Sequence, residues 1–276
     1  MGQRYDNVQR FVRELTGINQ ALVAADNALY ADLAESMLEP LEVVQGQWNY
    51  REEKTAQILL IARLFSGFEA VKLMILNGLL DHSHMPLRDT VECMLLLRLF
   101  EARPDLAIRW ISKLKHIDAG TAKAELDKAG SDTPEYALLE TESGLSHANA
   151  IGSAPRVTET KVSEGVNRNF KFGGFRQDRQ VTLMFRSLIG HMAFALVGPL
   201  TEVYMPYLPK EFGQEWLTHR SEIADRLQKL PTIPGNEEPS TEPPTRYEQR
   251  VERLVYARLR MDRLKVLRLD ENANTV

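Results

Sequence analysis

The chain has one cysteine, Cys93, in 276 residues. A single thiol excludes an intrachain disulfide framework and any Cys-rich zinc site. Aromatic residues make up only 8% of the chain. The opening stretch MGQRYDNVQR carries no apolar core and no small-residue cleavage pattern, which argues against a secretory signal. Asp6 stands where a myristoylation motif calls for Ser or Thr. Long uninterrupted apolar runs are scarce as well. The most apolar stretch, 58–80, contains Arg63, Glu69 and Lys72, so it reads as a buried core helix and not a bilayer span. No G-x-S-x-G, P-loop, dinucleotide-type glycine pattern or H-E-x-x-H occurs, and no repeat with a period of 20–50 residues is visible. These absences lead to the expectation of a cytoplasmic protein with no cofactor, no metal ligand set and no membrane partner.

What the chain does have is helical periodicity. Val8, Phe11, Val12, Leu15, Ile18 and Leu22 recur at three- and four-residue steps, predicting a helix over 3–38 that Pro40 ends. Residues 51–80 predict a second helix, apolar over a wide arc. Asp81 to Met85 read as a turn in which His82 and His84 are solvated, and Pro86 suits the first turn of a helix running to about Ala102. Further helices are predicted at 104–116, 120–129, 134–148, 178–197 and 210–229. Gly152, Pro155, Gly165, Gly173 and Gly174 interrupt the pattern over 149–176, which reads as an irregular loop or a small hairpin. The fold class is all-α: an up-and-down helical bundle over 1–230, a Pro-rich linker at 231–244 and a C-terminal basic amphipathic helix at 245–269.

The formal net charge of −4 hides an asymmetry. From Arg246 to Arg268 there are seven Arg and one Lys against three acids, a local +5. Asp270 and Glu271 follow, so residues 1–245 carry −7. Arg246, Arg250, Arg253, Arg258, Arg260 and Arg263 are therefore candidate contacts for a partner. Three partners fit: the acidic body or a second subunit, a phosphate backbone, or an anionic membrane surface. The first is favoured, because the apolar face is neither broad nor aromatic and no base-stacking platform is present.

Two Arg–His spacings could carry chemistry. Arg186 precedes His191 by five residues, with Ser187 as a polar neighbour, and Arg109 precedes His116 by seven. Arg can grip a phosphate bidentately while His moves a proton, which suffices for metal-independent RNA cleavage by the RNA's own 2′-hydroxyl. In a chain with 23 Arg and six His such spacings also arise by chance. On a helix, Arg109 and His116 would lie about 20° apart and Arg186 and His191 about 140° apart. Arg88 and Glu92 sit one helical turn apart, as an ion pair or part of a site. His147 follows Ser146 where a helix is expected to end, and Cys93 reads as an inert core thiol.

The stretch Arg88-Asp-Thr-Val-Glu92, the Pro-Asp-Leu-Ala segment at 104–107, and Tyr136-Ala-Leu-Leu139 leading to Leu145-Ser146-His147-Ala148 together resemble a group of uncharacterised bacterial helical-bundle proteins, over roughly residues 50–200. That group is similar in turn to the HEPN superfamily. The adjacency of Ser146 and His147 departs from its wider spacing. The resemblance implies a helical bundle, dimerisation, and ribonuclease activity from an Arg-x(4–6)-His motif in toxin or phage-defence systems. Carried onto this chain it names Arg186, His191 and Ser187 as catalytic. Two functions are thus expected: a HEPN-like ribonuclease or RNA-binding effector, or a non-catalytic interaction protein that dimerises or holds a protein partner through its C-terminal helix.

Overall fold

The computed structural model describes residues 2–49, 51–113, 116–146, 157–162, 165–170 and 178–230. Within them the protein is an all-α helical bundle. In chain order the helices are α1 (Gly2–Leu22), α2 (Ala24–Trp48), α3 (Glu52–Leu76), α4 (His84–Ala102), α5 (Pro104–Lys113), α6 (Ala119–Lys128), α7 (Pro134–Ser146), α8 (Asp178–Val197), α9 (Pro199–Tyr204) and α10 (Lys210–Gln228). Between α7 and α8, β1 (Val157–Val162) and β2 (Gly165–Phe170) pair antiparallel, with Val157 opposite Phe170 and Val162 opposite Gly165. The predicted Pro-rich linker and basic helix lie outside the described residues.

The α3–α4 pair forms the centre of the bundle. Helix α8 packs across α2 and α3 and also touches α1 and α4, while α7 lies on α4 and α10 on α2. This position explains why α8 is buried on nearly every side, from Val181 to Leu196. By length and composition the stretch Gln180–Tyr207 could cross a membrane, and most of it is buried inside the bundle.

Two helix ends show how sequence sets length. Gly78, at φ 74°, follows α3; its N–H donates to Ile75 O at 3.0 Å, and Leu79 N–H donates to Met74 O at 2.8 Å. Gly130, at φ 73°, ends α6 in the same way, with Gly130 N–H on Asp127 O and Ser131 N–H on Leu126 O. In both, the glycine supplies the left-handed residue of a Schellman motif, and the last carbonyls gain donors.

Two predicted helices differ from those observed. The 3–38 helix is two helices, broken at Val23, and Pro40 lies inside α2 instead of ending it. A mid-helix proline cannot donate to the carbonyl four residues back. Here that carbonyl belongs to Ser36, and it accepts the Trp216 indole N–H of α10 at 2.8 Å. The next carbonyl, Met37 O, accepts the Tyr204 hydroxyl at 3.1 Å. Tertiary donors thus replace the missing local one, and α2 runs on to Trp48. The second difference is at α5, described over Pro104–Lys113, because His116 is not helical. Asp118 caps α6, its carboxylate accepting the Thr121 N–H at 2.9 Å from an extended backbone, and Ile117 is buried beside it. Those two demands pull the chain out of helix before Asp118.

Candidate functional site

Along α2, the inward positions Asp26, Tyr30, Leu33 and Met37 recur at helical spacing, and all are buried. Asp26 is therefore a carboxylate in an apolar register. Across from it, Arg186 of α8 donates from Nε to Asp26 Oδ2 at 2.7 Å and from Nη2 to Oδ1 at 3.4 Å. The Arg186 side chain is 7% exposed and that of Asp26 4%. The guanidinium fork is thus paired with a protein carboxylate inside the core.

His191, one helical turn and a fraction further along α8, is 1% exposed and points elsewhere. Its Nδ1 lies 2.8 Å from Ser187 O. A carbonyl only accepts, so Nδ1 carries the hydrogen. Nε2 then faces Glu142 Oε1 of α7 at 3.5 Å. The other oxygen of Glu142 lies 2.9 Å from Nδ1 of His84, at the start of α4. One fully buried carboxylate thus bridges two imidazoles from two other helices. With His191 Nδ1 committed to Ser187, the contact to Glu142 is attractive when a proton sits on Nε2 or on the carboxylate. His84 Nε2 is buried without a hydrogen-bond partner among the described residues.

Among the described residues, the predicted catalytic residues therefore meet different buried carboxylates. Arg186 joins Asp26, whereas His191 and the Ser187 carbonyl join Glu142 and His84. Arg88 donates to Glu92 Oε1 at 2.6 Å, within α4, with both side chains about one-third exposed. Arg109 is exposed on α5, and His116 is exposed beyond its end, so no shared helix face brings them together. His147 and Arg246, Arg250, Arg253, Arg258, Arg260 and Arg263 lie outside the described residues. The solvated-turn reading holds for His82, which is exposed, and is corrected for His84, which is buried against Glu142.

Asp26 and Glu142 were not singled out in the sequence, although each carried a signal. Asp26 interrupts an apolar stripe. Glu135, Leu138, Leu139 and Glu142 share one face of α7 at three- and four-residue steps. Glu135 is buried too, and Arg98 of α4 reaches it at 3.1 Å and Glu202 at 2.8 Å. Burial pushes the Glu135 carboxyl above its usual range, against the pull of Arg98. Helix α7 is thus fixed to the bundle by two inward carboxylates seven residues apart.

A different feature lies on the surface between α2 and α10. Glu35 and Glu39 of α2 and Phe212, Glu215, Trp216 and His219 of α10 line a groove of about 300 Å³. Its three carboxylates are solvent-exposed and have no ion-pair partner among the described residues. Among those residues, no group of three or more His, Cys, Asp or Glu is placed to hold a metal ion. Comparison with family models, curated proteins and solved structures finds no match.

Proposed function

We propose that this chain is a non-catalytic helical interaction protein, in which the bundle is the scaffold and the Arg-rich segment 245–269 engages an acidic protein surface. The observation that carries the reading is the engagement of Arg186 with Asp26 and of His191 with Glu142, both inside the core. A phosphate gripping the Nε–Nη2 edge of Arg186 would have to displace a buried carboxylate already held there by two hydrogen bonds. The desolvation cost of leaving Asp26 unpaired opposes that exchange. His191 would have to give up its own buried partner at the same time. What remains for recognition is the uneven charge: +5 on residues 246–268 against −7 on residues 1–245.

The competing ribonuclease reading is tested directly. RNA incubated with the full chain in a chelator, without divalent metal, is expected to stay intact. Cleavage by the parent, lost in a folded His191→Ala variant, would overturn the proposal. A folded variant is one that keeps the parent's far-ultraviolet circular dichroism and a cooperative melt.

A further inference from the structure

The acidic groove between α2 and α10 has a floor and two rims. Half-buried Phe212 and the edge of buried Trp216 form the floor. Glu35 and Glu39, one turn apart on α2, form one rim, while Glu215 and His219, one turn apart on α10, form the other. Like charges converging on a groove repel, and a cation between them relieves that repulsion. Trp216 holds the two rims in register, because its indole is bonded to Ser36 O, between Glu35 and Glu39 in sequence.

The chain itself supplies a matching cation. Arg246, Arg250, Arg253 and Arg260 recur at helical spacing, with Val251 and Leu254 beside them. Arginine stems can lie along the half-buried Phe212 ring while their heads meet the carboxylates of the rims, whereas the buried Trp216 ring already faces the Arg220 guanidinium at 5.7 Å. We propose that the groove between α2 and α10 is the docking site of this chain's own Arg-rich segment, residues 245–269. The inference rests on the reading of that segment as the part that engages acidic protein surfaces, and it names one such surface.

Reach favours the same chain over a second copy. Glu215 lies thirteen residues before Gln228, the end of α10, which is about 20 Å along the helix. The fourteen residues of 231–244 have a root-mean-square span of about 20 Å as a flexible chain and about 43 Å when extended by proline. A tether whose span matches the distance sets an effective concentration of about 1 mM. A second copy at micromolar concentration competes poorly with that. An outside partner would then have to displace the segment from the groove, so the groove restrains the segment until an acidic partner arrives.

The test uses the full chain with Tyr256→Cys carrying a fluorophore, its anisotropy read at about 1 μM protein and about 50 mM salt, where exposed charges are weakly screened. Glu35→Gln/Glu39→Gln/Glu215→Gln changes exposed side chains only, and circular dichroism confirms the fold. Anisotropy is expected to fall about twofold in the triple variant, and in the parent at about 500 mM salt. Glu39→Gln alone should give a smaller fall. Trypsin should cut the segment about tenfold faster in the triple variant, to which no new cleavage site has been added. Equal anisotropy and equal cleavage in parent and variant would overturn the proposal. So would anisotropy that rises with protein concentration, which would seat the segment on a second copy. Neither result bears on the core pairs at Arg186 and His191, and RNA cleavage dependent on His191 would leave the docking result intact, so the two failures are distinguishable.

Discussion

The Arg186–Asp26 pair is a single contact whose worth depends on what is removed. Both side chains are almost fully buried, so removing Arg186 leaves the Asp26 carboxylate without its counter-charge. Arg186→Met is expected to cost about 3–5 kcal/mol in denaturant unfolding, whereas Asp26→Leu combined with Arg186→Met should recover most of that loss. A catalytic arginine would show neither the large cost nor the recovery. Cys93 gives a second residue-scale prediction. Burial pushes its thiol from an ordinary 9.0 up to about 12. The folded state therefore holds the proton more tightly than the unfolded state does. The resulting stability is fully present below about pH 9 and declines as pH rises towards 12. Thiol reagents at about pH 8 should leave Cys93 unmodified in the native protein and label it fully in denaturant, as counted by mass spectrometry.

At the scale of elements, α3 and α4 approach closely at Gly67. A Cβ there would lie 2.5 Å from the Thr90 methyl, and Thr90 is itself buried with its hydroxyl donating to Leu87 O. Gly67→Ala is expected to destabilise by about 1–3 kcal/mol through overpacking, measured by chemical unfolding. The α2–α10 contact is tested by a cycle. Trp216→Phe leaves Ser36 O without its donor and should cost about 1–3 kcal/mol. In a Pro40→Ala background the restored backbone N–H takes that carbonyl, so the same substitution should cost about 1 kcal/mol less. Many of these elements were legible in the sequence. Apolar periodicity placed α3, α4, α6, α7, α8 and α10 to within a few residues, and Gly78 and Gly130 explain two of the ends. The proline in α2 was not legible, because the donors that replace its N–H come from Tyr204 and Trp216, more than 160 residues away. The candidate site was less legible still. Sequence spacing located Arg186 and His191 on one helix but carried no information on the partners facing them, and those partners, Asp26 and Glu142, decide what the pair can do.

For the molecule as a whole, α8 is the element that ties several other helices together. It meets Asp26 from α2 and Glu142 from α7, and its apolar faces fill the space among α1 to α4. The bundle thus closes on contacts that join α2 and α7 to α8. Charge is partitioned on the same scale, with the basic surplus placed after the bundle and an acidic groove within it. The proline of α2 has a consequence in time as well as space. During synthesis, a chain that has completed α1 through α9 still carries an open carbonyl at Ser36, because the indole that closes it belongs to Trp216. The first half of the protein therefore waits on nearly its last helix. A ribosome that stopped before residue 216 would release a chain whose second helix still lacks the donor for Ser36 O.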